Sequence, residues 1–512
     1  MSSGIDKVVE IQMKKNKIHL ISSVLVSIFL FILYLSMISF EYSDANYGVD
    51  AGDLLSAILT DGIPHPSGYP TFLLLGKLFQ YLPFGTPYFK GSLISAFFSS
   101  IAAGLLTLFS GRIFMKEKDT IRSAFLPVTT GIALGLSPFF WSQSVIVEVY
   151  GLAAFFFVIL VFWLYLMVNG QITKKSDIWI TVLSILVGVG FGNHLMIGLM
   201  LPCMIYAVAI FLKNGNQPRH LIKYFIFMLT ACALVYAILP IRASKNPVVN
   251  WGNPQTLEGF IWLVSGKLYQ GLAFKIPRGE ILDRISFFAG LLQKQFGFIG
   301  LIIGLLGLVR VASLPNKMKW IYFWTVIAYP VFSIGYLTND SVVYLIPAFI
   351  IFAIFIGYGL LEIGEKLKKP PRLTEIVLSV AFLLFLFMRI PGLIAEIDPR
   401  RDLSAKQFAE KCINKLPQNA IILTEEDRDT FPLWYYHFGL GRRPDIHVIV
   451  QPLLAYEWYQ DSLTHTYPDV LIPGGESMVT INQVAESNPE IPVCNTNYKL
   501  AETNQLVCEC LQ

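Results

Sequence analysis

Residues 18–40 read IHLISSVLVSIFLFILYLSMISF, a run of 23 residues without a single Asp, Glu, Lys or Arg. A helix needs about 20 apolar residues to cross the hydrocarbon core of a bilayer, so this run predicts a membrane-spanning helix. A secretory signal has a shorter apolar region that is followed by small residues at a cleavage site. Neither feature is present, and we therefore expect an uncleaved first span.

Further long apolar runs follow along the chain. Of its 512 residues 54% are hydrophobic and 14% are charged, against about 25% charged in soluble domains. The net charge of +4 is small and does not indicate a nucleic-acid partner. We predict an all-α polytopic membrane protein with about eleven transmembrane helices. The ten further candidate spans are 91–111, 124–140, 145–168, 178–193, 195–212, 224–241, 296–310, 320–337, 342–361 and 374–391.

The positive charges of the loops predict the orientation. Lysines precede the first span, and Lys and Arg recur in every second loop, whereas the short loops 141–144, 192–194 and 338–341 contain none. The positive-inside rule then places the N-terminus in the cytoplasm. An odd number of spans places the C-terminus outside. We thus predict a multi-pass protein of the cell membrane, with two long outer loops, 41–90 and 242–295.

The chain divides by composition into two predicted domains, a transmembrane domain over 1–391 and an extracytoplasmic C-terminal domain over 392–512. In the second domain, 420–424 and 446–450 have the pattern of buried strands, and 403–416 and 429–438 that of helices. We predict a small α/β domain. Its aromatic residues offer a surface for sugar or peptide, but we favour a core position for them: Trp434, Tyr435, Tyr436, Trp458 and Tyr459.

The first outer loop carries two acids three residues apart, Asp50 and Asp53, before His65 and Tyr69 in a stretch rich in Pro and Gly. Residues with this spacing share one face of a helix. A carboxylate partly removed from water can act as a general base. The alternatives are that both acids cap a helix, or that they hold a divalent metal; no other cofactor is indicated, and the outer motifs show no zinc-type Cys/His cluster.

The fourth predicted span begins with an acid, Glu148, beside Tyr150. An acidic residue in an apolar span is costly and indicates a function. The alternative is a glutamate that is neutralised or paired at the headgroup level. His194, at the outer end of the fifth span, has the same two interpretations, a substrate contact or a structural histidine.

The later outer loops add a cation and further polar groups. Arg242 can bind a phosphate through two parallel hydrogen bonds, reach lipid headgroups, or pair with Asp340. Trp251 can stack on a sugar or pack on the membrane. Because these groups share one side, we predict a site for a substrate with a lipid tail, a phosphate and a polar head. The candidate binding residues are His65, Tyr69, Glu148, Tyr150, His194, Arg242, Trp251, Asn339 and Asp340.

Several of these motifs together resemble a known family, the transmembrane O-mannosyltransferase-like proteins, which are polytopic GT-C type glycosyltransferases. The resemblance extends from about residue 50 to 459. The chain differs from the family pattern at three places. Asp53 occupies a position where the family usually has Glu, and Ser67 one where it usually has Pro. Lys90-Gly91-Ser92 replaces the Arg-x-Asn of the family. The matching pieces are 50–53 (DAGD), 62–70 (GIPHPSGYP), 140–143 (FWSQ), 148–150 (EVY), 192–194 (GNH), 239–242 (LPIR), 250–252 (NWG), 338–340 (TND), 344–347 (YLIP) and 429–435 (DTFPLWY).

The resemblance implies a GT-C fold and a reaction. Such enzymes move a sugar, here most simply mannose, from a polyprenyl-phosphate carrier to a hydroxyl acceptor on a protein or glycan, with inversion. It implies Asp50 as the general base, with Asp53 as helper or alternative. Arg242, with His65 or His194, would offset charge on the leaving phosphate. Membrane lipid is the remaining expected partner.

Two other functions compete with this one. A transporter or flippase of lipid-linked glycans would have inverted repeats and broken helices near the midplane, and the sequence shows no internal repeat. A membrane-anchored scaffold would tolerate replacement of Asp50. In the tail, Cys494 pairs in our prediction with Cys508 or Cys510, and Cys412 is the candidate free partner.

Overall fold

The computed structural model describes residues 2–114, 124–170, 173–338, 340–367, 371–473, 479–496 and 508–511. These residues form long helices followed by a small sheet near the C-terminal end. The helices are α1 Ser2–Leu35, α2 Ala51–Leu59, α3 Pro70–Gln80, α4 Pro87–Phe114, α5 Phe125–Gly135, α6 Pro138–Ser144, α7 Tyr150–Asn169, α8 Lys174–Phe191, α9 Leu201–Lys213, α10 Pro218–Tyr236, α11 Ile238–Ala243, α12 Leu257–Val264, α13 Ile281–Ser313, α14 Lys319–Gly335, α15 Ile346–Lys366, α16 Pro371–Met388, α17 Ile390–Ile397, α18 Ser404–Lys415, α19 Asp427–Trp434, α20 Glu457–Thr466 and α21 Ile481–Ser487.

The predicted multi-pass helical fold is confirmed, but the number of spans is not. Within the described residues, eight helices are long and apolar enough to cross a membrane, or nine if α5 and α6, bent by 67° at their junction, form one broken span. The predicted spans 178–193 and 320–337 coincide with α8 and α14. Neither helix has an apolar stretch long enough to count as a membrane span. The apolar stretch of α8 is limited to Ser176–Phe191, and α14 has 17 residues.

The core of the helical bundle forms around α15. This helix is buried along almost its whole length and packs against α13, α14, α16 and α5. Apolar residues lie on every side of α15. This pattern is expected for a helix that is surrounded by protein. On the other side of the bundle, α4 packs against α1, α5 and α7.

The predicted loop 242–295 is mostly helical. It contains α12, and α13 begins at Ile281, fifteen residues before the predicted span 296–310. Gly297 interrupts α13 with φ 68° and ψ 168°, a conformation that glycine adopts without the steric cost of a Cβ. The apolar sequence therefore predicted only the second half of α13. The first half contains charged residues such as Asp283 and Arg284 and was predicted to be a loop.

The C-terminal region contains a four-stranded sheet with the order β2-β1-β3-β4, formed by Ile421–Thr424 (β1), His447–Val450 (β2), Val493–Thr496 (β3) and Cys508–Cys510 (β4). Strand β1 pairs in parallel with β2 and β3, and β4 is antiparallel to β3. The two predicted strands and the two predicted helices are confirmed. The sequence did not indicate β3 and β4, because VCNT and CEC lack the continuous apolar run that marks β1 and β2.

Two disulfides hold this region together, Cys412–Cys508 and Cys494–Cys510. The second is one of the two predicted pairings. The prediction that Cys412 is free is wrong, because Cys412 on α18 is bonded to Cys508, the first residue of β4. The core position predicted for the aromatic residues is confirmed for four of them, whereas Trp458 is half-buried; the four are Trp434, Tyr435, Tyr436 and Tyr459.

Candidate active site

A cavity of about 470 Å³ lies where the loops before α2 and α15, the helices around residue 195 and the C-terminal region meet. One part of its wall is polar and contains three acids, two histidines and several tyrosines. The other part is apolar, with Leu195, Met196, Leu199, Ala273 and Phe332. The polar wall consists of Asp50, His65, Ser67, Tyr69, Tyr150, His194, Tyr269, Gln270, Tyr336, Thr338, Asp340, Tyr344 and Asp427.

Asp50 faces this cavity with a side chain that is 30% exposed. It occupies the N-cap position of α2, yet its carboxylate makes no capping hydrogen bond. The alternative that Asp50 only caps the helix is therefore wrong. The preceding residues Asn46 and Tyr47 both have positive φ, 61° and 66°, and such strain is found mostly at functional sites.

Asp53 has a different environment, although it follows Asp50 by less than one helical turn. Its side chain is fully buried, and its carboxylate accepts three hydrogen bonds. The backbone N–H of His65 donates to Oδ2 (2.9 Å), ring Nδ1 of His65 lies 2.6 Å from the same oxygen, and Nε1 of Trp251 donates to Oδ1 (3.0 Å). Asp53 thus orients His65 and does not face the cavity, which corrects its predicted role as an alternative base.

His65 connects the two acids. Its Nδ1 contacts Asp53, and its Nε2 lies 3.0 Å from the hydroxyl of Tyr69 and 3.5 Å from Oδ2 of Asp50. Burial lowers the pKa of His65, but the charges of Asp50 and Asp53 outweigh this effect and raise the pKa to about 9. Burial raises the pKa of Asp50 to about 6, against the opposing charge of His65. At neutral pH the site therefore contains an imidazolium beside a carboxylate.

Arg242 and Trp251 support the loop instead of lining the cavity, which corrects their predicted contact with substrate. Nη1 of Arg242 donates to the carbonyl of Gly62 (3.0 Å), and its Nη2 lies 3.8 Å from Asp61. Arg242 is therefore not paired with Asp340. Trp251 reaches Asp53 because a parallel bridge joins Ile63 to Asn250.

Glu148 and His194 occupy neighbouring positions with different access. Glu148 is buried and is not part of the cavity wall, and its Oε2 accepts from the N–H of Val149 (3.2 Å). His194 lines the cavity, and its Nδ1 accepts from the N–H of Met196 (3.0 Å), so the neutral ring carries its proton on Nε2. Burial lowers the pKa of His194 to about 4, with a further contribution from His65. His194 is therefore a neutral hydrogen-bond donor.

The loop before α15 brings Asp340 to the cavity wall; the predicted residue Asn339 lies outside the described residues. Arg284, which the sequence did not single out, holds this loop. Its guanidinium donates to the carbonyls of Tyr336 (2.8 Å) and Thr338 (2.9 Å) and to the hydroxyl of Ser341 (2.8 Å). An arginine with three such partners positions the loop, and Arg284 is not part of the cavity wall.

Helix α19 of the C-terminal region packs directly on α2. A Cβ on Gly52 would lie 2.1 Å from the carbonyl oxygen of Phe431, so only glycine permits this approach. The ring of Phe431 stacks on His65 with centroids 6.3 Å apart. This contact joins the first-loop motif 50–53 to the tail motif 429–435, and it brings Asp427 to the cavity. The sequence missed Asp427, although it lies two residues before the tail motif.

Because Gly52 lies so close to Phe431, we expect even the addition of one methyl group at Gly52 to destabilise the protein. We expect Gly52→Ala to lower the free energy of unfolding by about 1–3 kcal/mol, because the added methyl group must displace backbone. Thermal unfolding of the detergent-solubilised protein measures the effect, and limited proteolysis between α17 and α18 reports release of the C-terminal region. Gly392→Ala is the control, since a Cβ there meets no atom within 4 Å. Equal melting of both variants would contradict the assigned packing.

The described residues contain no group of three or more His, Cys, Asp or Glu side chains arranged to hold a metal ion. The Asp53 side chain is fully buried outside the cavity wall, and its two oxygens accept hydrogen bonds from His65 and Trp251. The alternative of a metal held by this pair of acids is therefore not supported by their geometry.

The helical bundle, the small C-terminal sheet and the cavity between them define a polytopic membrane protein with a GT-C fold. The same fold occurs in the crystal structure of ArnT from Cupriavidus metallidurans bound to undecaprenyl phosphate, with a TM-score of 0.57, 12% identity and 94% of each chain covered. The apo structure of ArnT matches equally, with a TM-score of 0.57 and 93% of that chain covered.

Sequence comparison finds similarity to two family models and to two curated proteins. Residues 50–218 match the family model described as Protein O-mannosyl-transferase TMEM260 N-terminal domain, and 405–473 match TMEM260-associated domain 2. Protein O-mannosyl-transferase TMEM260 of Mus musculus is 25% identical over 452 residues, 83% of this chain and 62% of that protein. The Dictyostelium discoideum protein of the same name is 23% identical over 473 residues, 83% of this chain and 57% of that protein. The chain thus spans about three fifths of the length of these relatives, and the resemblance indicated by its motifs is confirmed.

Proposed function

We propose that this chain is an inverting glycosyltransferase that moves mannose from a polyprenyl-phosphate carrier to a hydroxyl group of a protein acceptor. The observation that carries the proposal is the position of Asp50, a carboxylate open to a cavity with one polar and one apolar wall. The names of the relatives support the sugar and the acceptor, and the undecaprenyl phosphate bound to ArnT supports the carrier.

The proposed reaction is a single displacement. Asp50 takes the proton of the acceptor hydroxyl as its oxygen bonds to the anomeric carbon. The bond from that carbon to the phosphate oxygen breaks, and its electron pair stays on the phosphate. His65, fixed by Asp53, keeps the Asp50 carboxylate oriented and ionised through its positive charge. The Tyr69 hydroxyl, near Nε2 of His65, limits how the imidazole can turn.

The two walls of the cavity suit the two ends of the donor. The apolar residues Leu195, Leu199 and Phe332 fit the first isoprene units. The described lining contains no Lys or Arg, so neutral donors would bind the phosphate. His194 offers its Nε2–H. The rings of Tyr150 and Tyr344 lie beside the imidazole, with ring centroids 5.5 and 5.9 Å away, and both tyrosines line the cavity. Preorganised donors of this kind stabilise charge that develops on a leaving group.

The proposed orientation follows from the loop charges. The lysines before the first span place the N-terminus in the cytoplasm and the first outer loop outside the cell membrane. The cavity and the C-terminal region lie on that same outer side, because α19 packs on α2 of the first outer loop. Two disulfides in the C-terminal region agree with an oxidising environment. The boundary between a transmembrane domain (1–391) and a C-terminal domain (392–512) remains part of this proposal.

A transfer assay tests the function. The purified chain is placed in liposomes with tritiated polyprenyl-phosphate mannose and a peptide that contains a single threonine; a parallel sample contains the glucose donor. We expect label in the peptide with the mannose donor. Label in an added oligosaccharide instead would make the acceptor a glycan. Movement of intact donor between leaflets without consumption would replace the transferase with a transporter.

The pH dependence of the reaction follows from the raised pKa of Asp50. A general base works as the carboxylate, which is the major form above a pKa of about 6. We therefore expect kcat/KM to fall as the pH drops through 6, by about tenfold for each further pH unit. The pH profile of transfer between pH 4.5 and 8 measures this. A profile without an acid limb near pH 6 would argue against Asp50 as the base.

A further inference from the structure

Asp427 is an acid of the cavity wall that the proposed reaction does not use. It is the first residue of α19 and belongs to the C-terminal region, and its side chain is exposed to the cavity that Asp50 and His65 also line. Among the described residues of this wall, the other two acids, Asp50 and Asp340, come from loops of the helical bundle. Asp427 is therefore the acid that the C-terminal region adds to the cavity.

Helix capping does not explain an acid at this position. The N-terminus of α19 already has a capping box, in which the side chains of Glu426 and Asp429 each accept from the other residue's backbone N–H. Asp429 is held further by the hydroxyl of Thr496 (2.5 Å) and the N–H of Glu425 (3.2 Å). The carboxylate of Asp427 takes no part in this arrangement and remains available to a ligand.

The position of Asp427 is fixed relative to Asp50. Helix α19 packs on α2 through the contact between Gly52 and Phe431. It also packs on Trp251, the partner of Asp53, through Trp434, with ring centroids 6.2 Å apart. Desolvation inside the cavity, and then the charge of Asp50, raises the pKa of Asp427 to about 7. Both carboxylates line the same cavity.

We propose that Asp427 binds the protein acceptor, by accepting hydrogen bonds from the backbone amide or side-chain donors beside the reacting hydroxyl. This inference rests on the proposed function and assigns its two substrates to two sides of one cavity. The lipid donor enters along Leu195, Leu199 and Phe332, whereas the acceptor enters along the C-terminal region. Asp427 is then a binding residue for the acceptor, and Asp50 alone is the base.

Comparing transfer to peptide with hydrolysis by water tests this assignment. Water needs no acceptor contact, so we expect Asp427→Asn to leave hydrolysis of the mannose donor within about twofold of wild type. Transfer to the threonine peptide should lose kcat/KM by about 10- to 100-fold, mainly through a higher peptide KM, because a hydrogen bond to a charged group is removed. Asp50→Asn should lose both reactions.

Glu425→Gln is the matched control, since it removes an exposed carboxylate two residues away that is not part of the cavity wall. Peptide mapping of the two disulfides verifies that the C-terminal region has folded. The proposal is overturned if Asp427→Asn retains the wild-type peptide KM, or if it slows hydrolysis and transfer equally. If the wild-type chain consumes no donor at all, the proposed function fails first and this assignment fails with it.

Discussion

Replacing Asp50 by Asn is expected to reduce sugar transfer by about 10²–10⁴-fold, the range that a positioned general base contributes. The amide has the shape of the carboxylate but cannot take the proton of the acceptor hydroxyl. Because Asp50 makes no capping hydrogen bond, the substitution should leave the helix start intact. Donor binding should also persist, since the apolar wall and His194 are unchanged.

The measurement is transfer from tritiated polyprenyl-phosphate mannose, with donor binding measured on the same liposomes. Asp61→Asn is the control, because it makes the same change in the same loop on a side chain that is 51% exposed and outside the cavity wall. Full transfer by Asp50→Asn would remove Asp50 from the mechanism. Transfer lost together with donor binding would make Asp50 a binding residue.

The second large effect is expected at Asp53, and it should appear in stability as well as in transfer. Asp53→Asn places an amide where three N–H groups converge, so at least one buried donor loses its acceptor. Removing one partner of a buried charged pair costs about 3–5 kcal/mol. We therefore expect a clearly lower melting temperature and a loss of transfer, because His65 is no longer held.

The pH dependence of stability distinguishes this pair from ordinary packing. The pKa of His65 is raised from 6.5 to about 9 in the folded chain. Its contribution to the free energy of unfolding is thus fully present below pH 6.5 and is lost as the pH rises through 9. We expect this alkaline loss in the wild type and a smaller one in Asp53→Asn. An identical pH dependence of both melting temperatures would contradict the pairing of His65 with Asp53.

The acids of the first loop illustrate how far the sequence alone can be interpreted. The spacing of Asp50 and Asp53 correctly indicated a short helix, and the resemblance to a family favoured the first acid as the base. Spacing could not tell that Asp53 is occupied by His65 and Trp251, because Trp251 lies 198 residues further along the chain. The two acids differ in access only after these distant segments have packed.

Arg242 shows the same limit, because the sequence predicted a contact with substrate and the structure places its guanidinium outside the cavity wall. An arginine in a polar loop beside a predicted phosphate site is a reasonable ligand from its chemistry alone. Its guanidinium instead donates to backbone carbonyls of Ala57 and Gly62, which the chain brings to it across about 180 residues. His194, a weaker candidate from sequence, lines the cavity with a fixed tautomer because of its local contact with Met196.

What the sequence by itself determined is the membrane class of the protein and the approximate place of its helices. Those properties are local, since burial in lipid depends on about 20 consecutive residues and helix formation on near neighbours. What only the tertiary structure decided is which distant residues meet: Asp53 with Trp251, Gly52 with Phe431, and Asp427 with the cavity of Asp50. Such contacts join segments that are far apart in the chain, and no period or spacing within a segment specifies them.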